Sequence, residues 1–482
     1  MSREEKLGIA ICTYNNRDLV IECLHSVMGS SFTDYHIYLV DNASSDGTYE
    51  AVSKAFPDEK SLTVIRNEEN LGCSGGFDTG IRAAHSNGHR YIACLDSDIR
   101  LNKNALTILF DYLETHDDVA VAGSRVMYMD QPDVIQWVGS SVRYGEPFMS
   151  VFKDNTIDGK EMYPQDTLYF GAVFEHQGEK YEGGIDKVRE CDLLPACAYM
   201  FKSKVLDEVG FWDVSYFLYW DETDWQKRVK DAGWKLVCCT DSVIWHKNGS
   251  FQPTNTRALY YGARNVVKYF GKYADRDKLE DLTKYILWSN FQMIYGSNYK
   301  GMDGVTRTIM IAIDDAVRGI GGPCREGRVF DRNVEETDHL MNGLKNAQSV
   351  LIKPHKMYDR GLAKKTLFNL VIRILRKKKV KIYICYELPE EDRKEFEGRA
   401  EFVGDDGGQY DLRLKMCVHV NVDLPEWEDG WVIIDPNANY LDTYEGWMYF
   451  RNYEYAWKLF YTSNKDVLLK DLKKYRDRIE KR

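Results

Sequence analysis

Tyr91-Ile92-Ala93-Cys94-Leu95-Asp96-Ser97-Asp98 is a five-residue apolar run that breaks off into two carboxylates. An apolar run without alternation reads as a strand covered on both faces. Working outward, Leu7–Cys12, His36–Val40 and Leu62–Arg66 have the same strand character, and the helical patterns Leu19–Met28, Thr48–Ala55 and Gly75–Ser86 separate them. A βαβ series of this kind predicts an α/β fold, a mainly parallel sheet with helices on both faces. Ligands bind such sheets beyond the carboxyl ends of the strands. The segments at those ends are polar here: Thr13-Tyr14-Asn15-Asn16, Asp41 to Gly47, Asn67 to Gly76, and Asp96-Ser97-Asp98.

From about 130 to 188 the pattern is irregular and rich in Tyr, Gly and Gln, as loops and short antiparallel strands over a site would be. Helix signals return at Ser203–Val209, at Glu222–Ala232 and from Arg257 to about Phe270, and 275–345 reads as largely helical. A second alternation follows, with strand at Ser349–Lys353, helix at Ala363–Arg376 and strand at Lys381–Tyr386. These shifts predict three units: residues 1–255, a mainly helical extension at 256–345, and a small C-terminal α/β unit at 346–482. For the last, substrate binding, homo-oligomerisation and docking of a partner protein stay open, and Gly404-Asp405-Asp406-Gly407-Gly408 reads as a turn.

The 482 residues are 44% apolar and 13% aromatic, with only 11 Pro, which excludes collagen, disorder and coiled coil. No apolar run approaches the roughly 18–20 positions of a spanning helix, and the start of the chain shows no signal-peptide core. Eleven scattered Cys without paired spacing suggest a reducing, cytoplasmic compartment. The net charge of −11 is uneven: from Lys345 on the chain is about +4, leaving about −15 for the rest. An acidic body excludes a nucleic-acid partner for that part, because phosphate-backbone binding needs a basic footprint.

Asp96 and Asp98 leave a strand end, where paired carboxylates can hold Mg²⁺ or Mn²⁺ through hard oxygen ligands. A second Asp-x-Asp, Asp275-Arg276-Asp277, lies in a polar stretch and reads as solvated surface. Tyr219-Trp220-Asp221-Glu222-Thr223-Asp224-Trp225 puts three carboxylates at a helix start, either to complement the dipole or to supply a base whose pKa an apolar wall raises. Trp220 and Trp225 flank this cluster with flat aromatic faces. His246 ends a strand pattern and suits either a structural role or a third metal ligand. The glycines of Asn70-Leu71-Gly72-Cys73-Ser74-Gly75-Gly76 match neither dinucleotide nor Walker motifs, and they predict close backbone approach to a ligand.

In order along the chain, Cys12-Thr13-Tyr14-Asn15, Val40-Asp41-Asn42-Ala43-Ser44-Ser45-Asp46-Gly47-Thr48, Asn70-Leu71-Gly72 with Gly75-Gly76, Asp96-Ser97-Asp98, Gly210-Phe211-Trp212-Asp213, the 221–224 cluster and Trp245-His246 resemble the family 2 glycosyltransferases. The likeness spans about residues 7–270 and is closest in motif to the galactofuranosyl- and rhamnosyltransferase branch. It implies a Rossmann-like GT-A fold and transfer of a sugar from a nucleoside diphosphate, with inversion, to a hydroxyl of a cell-surface glycan or lipid-linked acceptor. UDP-galactofuranose and dTDP-rhamnose are the donors it suggests. By the same resemblance Thr13, Tyr14, Asn15, Asp41, Asn70, Gly76, Asp96 and Ser97 hold the nucleotide, and Asp98 and His246, with Asp96, hold Mn²⁺ or Mg²⁺. Glu222 or Asp221 is the base, Glu222 being favoured, and Trp220, Asp224 and Trp225 meet the sugar or acceptor. The family's usual acidic pair is Glu-Asp, whereas this chain has Asp-Glu.

Two basic stretches read as possible contacts with the inner face of a membrane. One is Arg257, Tyr260, Tyr261, Arg264, Lys268, Tyr269, Phe270 and Lys272; the other is Arg373, Arg376, Lys377, Lys378, Lys379 and Lys381. Helix packing and solvated charge are the alternatives for both. Two other functions fit the carboxylates: a glycoside hydrolase using Glu222 and Asp96, or a non-catalytic sugar-nucleotide scaffold.

Overall fold

The computed structural model describes residues 6–481 apart from 152–155, 158–159, 162–166, 248–255, 331–338, 355–360, 386–389, 405–407, 418, 422 and 436–438. Most of the expected turn at 404–408 and the expected boundary at 255 fall outside the described residues.

The first sheet runs Val188–Cys191, Lys235–His246, Val119–Tyr128, Ala198–Lys202, Tyr91–Asp96, Leu7–Thr13, Tyr35–Asp41, Leu62–Arg66. Its last four strands are mutually parallel, Ala198–Lys202 is antiparallel between its neighbours, and Lys235–His246 is again parallel to Val119–Tyr128. Thr13, Asp41, Asp96 and His246 therefore end at one edge. The helices Arg17–Met28 and Ala105–Thr115 cover one face through Val20, Leu24, Leu106 and Leu109. Gly72–Ser86 and Asp221–Asp231 cover the other through Phe77, Ile81, Trp225 and Val229.

That second face shows why the glycines are where they are. Gly8, Ala10 and Cys12 alternate on the strand, while Gly76, Gly80 and Ala84 recur every four residues on the helix, so a seam of small residues brings the two backbones together. A Cβ at Gly76 would overlap Cys12 Sγ, and one at Gly80 would stand 2.9 Å from Ala10 Cβ. Gly76 thus serves helix-on-strand packing, which corrects its expected place at the nucleotide.

A second sheet, ordered Glu401–Phe402, Lys381–Ile384, Ser349–Lys353, Leu412–Met416, Val432–Ile434, Tyr440–Leu441, is parallel except for its last strand. Between the two sheets lie the helices Thr256–Tyr273, Leu279–Tyr299 and Asp303–Arg318. The final helix, Tyr453–Glu480, returns to them, burying Leu468 and Leu472 in the same core as Val267, Phe270 and Leu282. Among the described residues no helix is long and apolar enough to cross a membrane.

The helix Thr256–Tyr273 does not turn its aromatic side to lipid. Tyr260, Tyr261, Tyr269, Phe270 and Arg264 are all buried at 2% exposure or less. Lys268 pairs with Asp213 at 2.9 Å and Lys272 with Asp224 at 2.6 Å. These contacts overturn the membrane reading of this helix in favour of packing. The second Asp-x-Asp forms an exposed turn, as expected, where Arg276 pairs with Asp477 and Glu480 of the final helix.

Candidate active site

The register of the sheet builds the site. Asp96 closes the strand Tyr91–Asp96, and the chain then turns back so that Ile99–Leu101 pairs antiparallel with Ile244–His246, Ile99 opposite His246. Asp96 and Asp98 thereby flank one imidazole: His246 Nε2 is 3.5 Å from Asp96 Oδ2 and 3.3 Å from Asp98 Oδ1. One donor atom from each of the three lies within 4.8 Å of the others. The far ring nitrogen, Nδ1, donates to Gln136 Oε1 at 3.1 Å. An amide oxygen only accepts, so Nδ1 carries a proton and Nε2 is turned toward the carboxylates, donating to Asp98 when the ring is protonated and offering its lone pair to a cation when it is not.

Gln136 sits in the short strand Ile135–Trp137, inside the irregular stretch, 110 residues from His246 in sequence. No sequence pattern pointed to it. Gln136→Ala is expected to weaken Mn²⁺ binding about tenfold, as loss of an outer-shell partner does. Calorimetric titration with Mn²⁺ checks it, and an unchanged affinity would deny Gln136 this role.

The acidic helix Asp221–Asp231 brings two further carboxylates to the same region. Burial pushes the Asp96 carboxyl up to about 6; His246 opposes the rise, and the charges of Asp98 and Asp221 add to it. Burial raises Glu222 well above the ordinary glutamate range, with Asp221 next in effect and Asp96 contributing. Burial disfavours the cation of His246, but its hydrogen bond to Asp98 and the charge of Asp96 outweigh that and its pKa rises. Four carboxylates thus share one site with one imidazole. Asp221 is 2% exposed, and its Oδ2 has no hydrogen-bond partner among the described residues. This donor set, hard oxygens plus one oriented imidazole in an excess of negative charge, fits a divalent cation.

The loops expected at the nucleotide are tied together around Asn42, which is 1% exposed. Its Oδ1 accepts from Asn67 Nδ2 and from the Leu71 amide, and its Nδ2 donates to Asn70 Oδ1 and the Gly72 carbonyl. Asn15, at φ 50°, accepts from the Ser45 amide and donates its own amide to Ser44 Oγ. Asn16 donates to Ser97 Oγ at 3.0 Å, linking the first loop to the Asp-Ser-Asp turn. Asp41, 1% exposed, accepts from the Ser44 amide and lies 3.4 Å from Arg66 Nε. Thr13 Oγ1 is buried without a hydrogen-bond partner among the described residues, and Tyr14 beside it is 48% exposed. The shelf therefore offers an open ring and a buried hydroxyl next to Asp96.

Two expected sugar contacts are elsewhere. Asp224 is fully buried and accepts from Tyr216 Oη, Tyr273 Oη, Lys272 Nζ and Arg228 Nε at 2.6–3.1 Å. Trp225 is fully buried with its Nε1 on the Gly210 carbonyl at 3.0 Å. Neither has a surface for a ligand, so both hold the helix in place. Trp220 is half-buried against Tyr269 and Phe270. Asp224→Asn would leave two cations facing a neutral group and is expected to cost roughly 3–5 kcal/mol of stability. A thermal midpoint equal to the parent's would contradict the buried-cluster assignment.

Residues 8–170 match the model of glycosyl transferase family 2. Glycosyltransferase GlyG of Streptococcus pneumoniae is 24% identical over 129 residues, 27% of this chain and 42% of that one. Galactofuranosyltransferase GlfT1 of Mycolicibacterium smegmatis is 23% identical over 262 residues, 52% of this chain and 75% of the relative. The chain spans less than half the length of the first curated relatives it matches. Among solved structures, S. aureus TarS 1–349 in complex with UDP-GlcNAc aligns at 15% identity and TM-score 0.40, over 65% of this chain and 81% of that one.

Proposed function

We propose that this chain, whose residues 8–170 belong to glycosyl transferase family 2, is a metal-dependent, inverting glycosyltransferase acting on a nucleoside-diphosphate sugar. The observation that carries the reading is the convergence of Asp96, Asp98 and His246 with the Asp221–Glu222 pair at the carboxyl edge of the sheet. Asp96, Asp98 and His246 would hold Mn²⁺ or Mg²⁺, which when bound neutralises charge gathering on the diphosphate leaving group. Thr13, Tyr14, Asn15, Asp41, Asn70 and Ser97 form the shelf for base and ribose, with Asn42 fixing its loops.

Glu222 removes the proton from the acceptor hydroxyl. It is the better base of the pair because burial and the Asp221 charge raise its affinity for a proton. It is also the reachable one, being part-exposed where Asp221 is 2% exposed. With the hydroxyl oriented opposite the leaving group, one in-line displacement inverts the anomeric centre without a covalent intermediate.

UDP-galactofuranose and dTDP-rhamnose are the donors proposed, the first supported by the likeness to GlfT1. A cell-surface glycan or lipid-linked acceptor is proposed with them. The exposed Arg376, Lys379 and Lys381 support contact with anionic head groups from the cytoplasmic side. Incubation with each donor and Mn²⁺ should release UDP or dTDP, with release abolished by EDTA. A glycoside hydrolase would instead cleave glycosides without nucleotide or metal, and a scaffold would bind nucleotide without turnover.

A further inference from the structure

The segment that delivers the acidic pair is held in a backbone state that side chains seldom adopt. Phe217, Tyr219 and Trp220 all have left-handed φ, at 66°, 65° and 67°, and Asp221 follows directly. Non-glycine residues stay in this region only where their surroundings over-determine it.

Two neighbouring side chains of the helix Thr256–Tyr273 supply that constraint. Asn265 Nδ2 donates to the carbonyls of Tyr216 at 3.0 Å, Leu218 at 2.6 Å and Tyr219 at 2.9 Å. Arg264 donates through Nη2 to the carbonyls of Tyr216 at 2.6 Å and Ser215 at 3.3 Å, and through Nη1 to the Gly322 carbonyl at 2.7 Å. Its Nε also donates to Asn265 Oδ1 at 2.9 Å, so the amide nitrogen of Asn265 must face the loop. Both side chains are fully buried. From the opposite side the Ser74 amide donates to the Phe217 carbonyl at 3.2 Å, and Gly72 leaves room for that same carbonyl. The loop is therefore pinned between the nucleotide shelf and the 256–273 helix.

We infer that Arg264 and Asn265 are positioning residues for the reaction: by collecting the carbonyls of 215–219 they fix where Glu222 stands relative to the acceptor hydroxyl. The inference rests on the glycosyltransferase reading above. Neither side chain touches the metal-ligating trio or the nucleotide shelf in the contacts described, so losing them should move turnover and leave donor binding alone.

The test uses the full chain with Asn265→Ala and, to keep volume and the Arg264 contact while removing the donor hydrogens, Asn265→Asp. Expected are a kcat at least about tenfold lower with the donor KM within about threefold, and Mn²⁺-dependent UDP or dTDP binding close to the parent's. Amide hydrogen exchange should quicken about tenfold or more across 215–222 while Leu7–Thr13 keeps its protection. Unchanged exchange at 215–222, or protection lost equally across the sheet in both variants, overturns the clamp. A parent protein that releases neither UDP nor dTDP from any UDP- or dTDP-sugar refutes the glycosyltransferase reading instead, and the exchange result still judges the clamp.

Discussion

Glu222→Gln is expected to lower turnover at least about 100-fold while UDP or dTDP binding in Mn²⁺ stays within about threefold of the parent. The substitution keeps the shape of the side chain and removes only its capacity to take a proton. Asp221→Asn should cost less, since Asp221 is nearly sealed from an acceptor. Unchanged turnover in the Gln variant would remove Glu222 from the mechanism.

The same group carries a pH signature of known sign. Its carboxyl is raised in the folded protein by burial and by Asp221, so turnover should increase as pH climbs through its folded value and the base ionises. For stability the sign reverses. A carboxyl whose folded pKa exceeds the unfolded one contributes stability that is complete below the unfolded value and is lost as pH rises through the folded one. Glu222→Gln, which never ionises, should therefore melt at least about 2 °C above the parent at alkaline pH, with the gap closing near pH 4. A constant gap at both pH values would mean that Glu222 is not held in a raised state.

His246→Ala and Asp98→Ala are each expected to weaken UDP or dTDP binding in Mn²⁺ at least about 100-fold, toward the parent's behaviour in EDTA. A direct ligand removes one of three donor groups, which should exceed the tenfold effect expected of Gln136 behind it. Equal affinities for parent and variants would refute the metal assignment.

The parts of this architecture built from local pattern were legible. Thr48–Ala55, Leu62–Arg66 and Ser349–Lys353 have the same bounds in sequence and structure, because short apolar stretches, buried in Ser349–Lys353 and half-buried at the sheet edge in Leu62–Arg66, and the period of a helix are all local signals. Gly72–Ser86 starts three residues before the expected Gly75, where the Gly72 amide is received by Asn70 Oδ1. What sequence hid was non-local. Arg264 reads as a solvated cation on an amphipathic helix, yet its acceptors are carbonyls 48 to 58 residues away. Asp224 belongs to the same acidic run as Glu222 but faces Tyr216, Lys272 and Tyr273 and leaves the chemistry to its neighbours. Gly76 looked like a ligand glycine because its partner, Cys12, lies 64 positions earlier on another element. The helix Tyr453–Glu480 had no sequence expectation; its buried Leu468, Leu472 and Tyr475 occupy only part of a mostly polar stretch.

The most direct measurement is calorimetric titration of the purified protein with UDP, dTDP and GDP, first in Mn²⁺ and then in EDTA. One of these nucleotides is expected to bind in Mn²⁺ and EDTA to abolish the heat, which would also restrict the donor to sugars carried by that nucleotide. A folded protein that binds none of them, or binds equally well in EDTA, would contradict a metal-dependent nucleotide-sugar site at Asp96, Asp98 and His246.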